Sequence, residues 1–211
     1  MKTRRTNRPR ESRDMHMRWS CRARLRWLGG LLVVLVATLV SHHSRAGLVP
    51  LSLQAQLTAR LGGFDRNFVT RAGAVANVLV VYKAGDADSK VDARSFGRSL
   101  FELGNLAGVP IKLDDAELGD PAALAQRIRT QHLALVYFSS GLEGEMPRIA
   151  AALSGVDVLT VGSTAQHAEK GAVVGFDLDE ARPKIVLNIK SARAQNVSFK
   201  AELLKLARII E

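Results

Sequence analysis

The sequence predicts an α/β fold: a single three-layer domain whose mostly parallel sheet is flanked by helices, with a C-terminal β-hairpin at one edge and a closing helix. Three observations carry this expectation. Continuous apolar runs at 78–82, 133–138 and 156–161, rich in β-branched residues, read as strands buried on both faces. The segments between them carry apolar residues at helical spacing, and repeated βα units favour a parallel sheet covered on both sides. Hydrophobic residues make up 47% of the 211, enough for a core and too many for a disordered chain.

Taken in order, Leu53, Leu57, Leu61, Phe64 and Phe68 recur at steps of four, four, three and four, and predict a first amphipathic helix. Gly62 and Gly63 lie inside it and weaken it by about 1 kcal/mol each relative to alanine. Residues 78–82 form the first strand, stopped by Lys83-Ala84-Gly85-Asp86. Residues 91–106 are helical by pattern, with Phe96, Leu100, Leu103 and Ala107 on one face. Gly108 ends that helix, and 109–113 form a short second strand. Asp120-Pro121 is a helix start, with a carboxylate at the cap and proline in the first turn; Leu124 and Ile128 face inward.

The third strand, 133–138, ends at Ser139-Ser140-Gly141. Pro147 opens a helix that buries Ile149, Ala150 and Leu153, Gly155 closes it, and the fourth strand ends at Gly162-Ser163. Residues 172–178 and 184–189 flank a five-residue turn and read as a hairpin. Phe199, Leu203, Leu206 and Ile210 predict the last helix, capped by Ser198 and packed on the sheet.

Residues 1–46 read as a signal peptide. Residues 1–26 are basic, 27–40 are uncharged and apolar, and Ser44 and Ala46 are the small residues of a cleavage site. The apolar run has 14 residues, short of the about 20 that span a bilayer. Cleavage near Ala46 would release a periplasmic domain of 47–211; retention of 27–40 as an inner-membrane anchor is the alternative. The charge divides at the same place. Residues 1–46 hold 11 Lys and Arg against 2 Asp and Glu, a balance of +9 within the chain's +10. The remainder is nearly neutral, so no nucleic-acid partner is expected. Cys21, the only cysteine, precedes the apolar run, so the exported domain has no disulfide and no cysteine-based chemistry.

Motifs of phosphate loops, dinucleotide folds, nucleophile elbows and zinc proteases are absent. His132 and His167 are the domain's two histidines and are expected to face solvent. Asp114, Asp115, Glu117 and Asp120 do not match a calcium loop and read as an acidic turn before a helix. No catalytic residue, metal or cofactor is expected.

One constellation merits attention. Open parallel sheets bind ligands at the carboxyl ends of their strands. Three such ends carry small or polar residues: Lys83 and Gly85, then Ser139, Ser140 and Gly141, then Gly162 and Ser163. Glycine admits close approach and serine can donate to an anion, although strand-to-helix turns favour the same residues for geometric reasons. A second candidate is the weakened first helix. Its Leu53, Leu57, Leu61 and Phe64 offer an apolar face to a partner or to a second copy of the chain.

Leu159-Thr160-Val161-Gly162 is followed in order by Gly171, Asn188-Ile189, Ala192 and the run Leu203 to Arg208. Through these residues the stretch 133–211 resembles the C-terminal half of YfiR-like (YfiR/HmsC-type) exported regulatory proteins. It implies an exported, non-enzymatic α/β sensor or repressor that contacts the periplasmic part of an inner-membrane signalling protein. In the best-known case that protein is a diguanylate cyclase making cyclic di-GMP; a sensor kinase is another candidate. A periplasmic small-molecule-binding protein using the strand-end crevice is the rival reading.

Overall fold

The computed structural model describes residues 48–211, so the expected signal peptide and its cleavage point lie outside the described residues. Helix α1 (Leu51–Leu61) leads through a 3-10 turn (Gly62–Phe64) to α2 (Phe68–Ala72). There follow β1 (Ala76–Tyr82), α3 (Ala87–Leu103), β2 (Asn105–Leu106), β3 (Val109–Glu117), α4 (Pro121–Gln131), β4 (Leu133–Phe138), α5 (Met146–Ala152) and β5 (Leu159–Gly162). The chain ends with α6 (Ala165–Glu169), β6 (Val174–Asp179), β7 (Arg182–Asn188), α7 (Ile189–Ala194), α8 (Ala201–Leu206) and β8 (Arg208–Ile210).

These strands form one sheet in the order β2-β3-β1-β4-β5-β6-β7-β8. Strands β3, β1, β4, β5 and β6 run parallel, and β7 turns back against β6. Because side chains alternate along a strand, the sheet feeds two cores. Val78, Val80, Leu135, Tyr137, Leu159 and Val161 meet Ala55, Phe68, Phe96 and Leu100 on the side of α1, α2 and α3. Leu79, Val81, Val136 and Phe138 meet Leu124, Ile128, Ile149 and Leu153 on the side of α4 and α5. The expected three-layer α/β domain, with its C-terminal hairpin toward one edge, is what forms.

Six local expectations are corrected. The first helix is not continuous to Phe68. A Cβ on Gly62 would lie 3.1 Å from the Phe68 ring and 3.3 Å from Ala107, so glycine there lets the chain turn and Phe68 sink into the core. Strand β3 runs past Leu113 to Glu117, which puts Asp114 and Asp115 in a strand rather than a turn. Pairing with β1 continues to Tyr82↔Glu117 and carries the extended backbone with it. The hairpin turn has two residues, not five: Glu180 and Ala181 have φ of +46° and +64°, and the ladder closes at Asp179↔Arg182.

The last helix stops at Leu206 instead of running to Ile210. Ala207 is extended, and Arg208–Ile210 pair with β7, whose far edge would otherwise stay open. Leu203 is 2% exposed but Leu206 is 69% exposed, contrary to the expectation that both pack on the sheet. Lys200, not Ser198, stands at the cap of this helix. Ser198 is held instead by Asp65, a buried carboxylate that also bonds Arg71 at 2.7 Å. Arg71 in turn reaches Asp157 and the Asn196 carbonyl, tying α2 to the C-terminal segment.

Leu203→Asp should therefore unfold the domain or lower its stability by several kcal/mol, because it buries an unpaired carboxylate. Leu206→Asp should change stability by about 0.5 kcal/mol or less, as at other exposed sites. Urea midpoints of the two variants check this; equal losses would contradict it.

Candidate functional site at the strand ends

The chain order creates a topological switch point. From β1 the crossover through α3 leads to β3 on one side, and from β3 the crossover through α4 leads to β4 on the other. The carboxyl ends of β1 and β4 thus sit where the two crossovers diverge, the usual ligand position in such sheets.

The structure brings the three predicted segments together there. The Ser139 N–H donates to the Val81 carbonyl at 2.9 Å, and the Ser163 N–H to the Phe138 carbonyl at 3.0 Å. Ser139 and Ser89 share a hydroxyl hydrogen bond of 2.8 Å, and Ser89 Oγ accepts from the Lys83 N–H. Gly141 has φ +88°, and a Cβ there would lie 3.2 Å from Asp86 and 3.5 Å from Lys83, so glycine is required for this closure. Lys83 and Gly85 are exposed, Ser140 and Gly141 are half-buried, and Ser139, Gly162 and Ser163 are buried.

Beneath these turns lies a buried polar cluster that sequence reasoning missed. Tyr137, fully buried, stacks on Phe96 with ring centroids 3.5 Å apart. Its hydroxyl donates to Gln54 Oε1 at 2.7 Å, and Gln54 Nε2 donates to the carbonyls of Val49 and Ser163. Burial, and then the charge of Asp92, holds the Tyr137 hydroxyl well above its usual pKa, with the Ser163 side chain opposing. Ser140 Oγ donates to Asp92 at 2.5 Å. The available signal was polar residues at core spacing: Gln54 beside Leu53 in an apolar helix, and Asp92 one turn before Phe96.

His167 overturns the expectation of a solvent-facing ring, for it is completely buried. It packs where Gly162 has no side chain; a Cβ at 162 would fall 2.0 Å from His167 Cβ. Its Nδ1 is 2.8 Å from Thr164 Oγ1, and Glu143 lies 3.7 Å away. Burial pushes the ring's pKa down to about 4, against the opposing pull of Glu143 and the Ser139 backbone, so the ring is neutral at pH 7. His132 is exposed, as expected.

The predicted partner residues sit against the first core. Leu61 is 1% exposed, and Leu53, Leu57 and Phe64 are half-buried on it. Two cavities lie elsewhere. One, of about 200 Å³, is lined by Leu79, Val81, Leu118, Leu124, Glu117 and Arg127 near the ends of β1 and β3. The other, of about 330 Å³, opens among Arg71, Ile128, Arg129, His132 and Asp157 at the opposite ends of the strands. Among the described residues no group of three or more His, Cys, Asp or Glu converges as a metal site, and no helix is long and apolar enough to cross a membrane.

Residues 96–208 match the YfiR/HmsC-like family. No curated protein matches the sequence. Two solved structures share the fold. A conserved domain protein from Vibrio cholerae is 15% identical, with a TM-score of 0.57 over 77% of this chain and 60% of that one. An ABC domain in complex with L-Trp from Streptococcus pneumonia is 12% identical, with a TM-score of 0.52 over 74% of this chain and 62% of that one. This chain thus spans about three fifths of the length of either, and the likeness is one of fold. The residues that carry the family resemblance have structural duties. Gly171 has φ +122° and would place a Cβ 2.3 Å from Ala150. Asn188 caps α7 at Ser191 N and donates to the Ala168 carbonyl.

The neutral, buried His167 makes stability pH-dependent. Above pH 6.5 the ring is neutral in folded and unfolded chains alike; between 6.5 and about 4 only the unfolded chain takes up the proton. Stability should fall as the pH drops through that window, by about 1.4 kcal/mol per unit, and level off below it. Urea titrations of the wild type and His167→Gln across the window test this, since the variant should lack that component of the slope. Gly162→Ala should be strongly destabilising at every pH, because its methyl group meets His167.

Proposed function

This chain belongs to the YfiR/HmsC-like family, a family of periplasmic regulatory proteins, and on that premise we propose that it is a non-enzymatic regulator acting by protein–protein contact on the periplasmic part of an inner-membrane signalling protein. A diguanylate cyclase is the first candidate partner and a sensor kinase the second. The observation that favours contact over catalysis is the state of the strand ends. Most of their polar side chains are engaged with one another: Ser139 with Ser89, Ser140 with Asp92, Tyr137 with Gln54, and His167 Nδ1 with Thr164. Ser163 Oγ and His167 Nε2 are buried without a hydrogen-bond partner among the described residues. The titratable groups of this set, His167, Tyr137 and Asp92, are all buried.

In this reading α1 takes part in the contact. It turns Ser52, Gln56 and Arg60 outward, with Leu53 and Leu57 half-buried beside them. Gly62 and Phe64 follow in a 3-10 turn that weakens the helix end. Processing near Ala46 would leave the domain free in the periplasm. A small-molecule reading has one observation in its favour, the convergence of Lys83, Gly85, Ser139, Ser140, Gly141, Gly162 and Ser163 at the switch point.

Deleting the gene in its host should raise cellular cyclic di-GMP several-fold, read by mass spectrometry, and the wild-type chain should restore it. Leu53→Ser with Leu57→Ser should restore it poorly while circular dichroism still reports a folded domain. An unchanged cyclic di-GMP level with altered kinase output would point to the kinase. No change in either output would remove the regulatory reading.

A further inference from the structure

Helix α3 is amphipathic in the expected sense on its inner face and not on its outer one. Asp92, Ala93, Phe96, Gly97 and Leu100 are buried, as a core-facing stripe should be. The outward positions should then be polar throughout. Instead Val91 is 60% exposed and Phe101 66% exposed, and every other phenylalanine of the chain is buried or half-buried. Arg94 and Arg98 are exposed between them. Val91, Arg94, Arg98 and Phe101 follow one another at steps of three, four and three, which aligns them in a single stripe about 15 Å long. Neither arginine has an ion pair or side-chain hydrogen bond with a described residue, although Asp88 and Glu102 lie near the two ends of the stripe.

We propose that this stripe is the docking surface for an acidic amphipathic helix of the signalling partner, an inference that rests on the regulator reading above. The spacing of three and four matches the seam that a second helix presents along its own axis. Phenylalanine and arginine are the residue types that concentrate at interfaces, and an arginine fork suits a carboxylate. The stripe also disfavours the other obvious occupant. A two-fold contact with a second copy would set Arg94 and Arg98 against the same arginines of that copy, a like-charge juxtaposition. Helix α1 packs beside α3, so the stripe and the exposed Arg60 lie on the same side of the sheet.

The test uses the full chain in its host, with a photo-crosslinking amino acid introduced at Val91 and, as control, at Gln126 on α4 across the sheet. The expected result is a crosslink from position 91, absent from 126, to one inner-membrane protein. Mass spectrometry should map it to a segment carrying Asp or Glu at helical spacing with apolar residues. Arg94→Glu with Arg98→Glu should cut its yield about tenfold, as loss of close charge pairs does, and Asp or Glu to Lys changes in the mapped segment should restore it. Equal crosslinking at 126, a mapped segment without acids, a crosslink only to a second copy, or indifference to charge reversal would each overturn the proposal. So would charge-reversible binding of the purified domain to phosphatidylglycerol vesicles, which would assign the stripe to lipid headgroups. If deletion alters cyclic di-GMP or kinase output while the stripe gives no crosslink, the surface is wrong and the regulator reading stands. If deletion alters neither output, the regulator reading itself fails.

Discussion

Strand β4 is buried on both faces, and much of the domain follows from that constraint. None of its residues from Leu133 to Phe138 is more than 4% exposed, and β1 and β5 flank it in parallel. The parallel part of the sheet cannot leave a face open to water, so helices cover both sides and the connections between its parallel strands cross over. The two cores are the result. One is sealed by α1, α2 and α3, the other by α4 and α5, and alternate residues of the same strands feed each.

Burial of β4 also explains the polar cluster. Tyr137 points its ring at Phe96 and carries a hydroxyl where water does not reach, and a buried hydroxyl without a partner is costly. Gln54 answers it from α1 and extends the bond to Val49 and Ser163. This ties the N-terminal helix to the ends of β4 and β5, so a segment more than 80 positions away in sequence becomes part of the switch point. The strand ends that in other α/β domains stay open to ligands are here largely engaged among themselves, with Ser163 Oγ and His167 Nε2 the buried exceptions. That state suits a rigid mount for a contact surface.

Much of the architecture was legible in the sequence because it rests on local pattern. Uninterrupted runs such as Leu133 to Phe138 can only be strands buried on both faces or pieces of buried helix, and their length and β-branching separate the two. The convergence of Lys83, Ser139 and Ser163 was legible for the same reason, since the order of βα units dictates which strand ends meet. The departures arise from strand pairing and close packing that the local pattern does not specify. Asp114 and Asp115 lie in a strand because β1 extends that far, and Ile209 and Ile210 leave helical periodicity because β7 offers a free edge. His167 defied its polar character because Gly162 opens a space that only its ring fills.

The sequence by itself determined the layers, the parallel core and the family resemblance, because those depend on which residues avoid water and at what spacing. Only the tertiary structure decided where the first and last helices stop, which polar side chains are sealed beneath the strand ends, and which face of α3 remains uncovered. Each of those outcomes depends on the partner a residue meets across the sheet, and a one-dimensional pattern does not specify that partner.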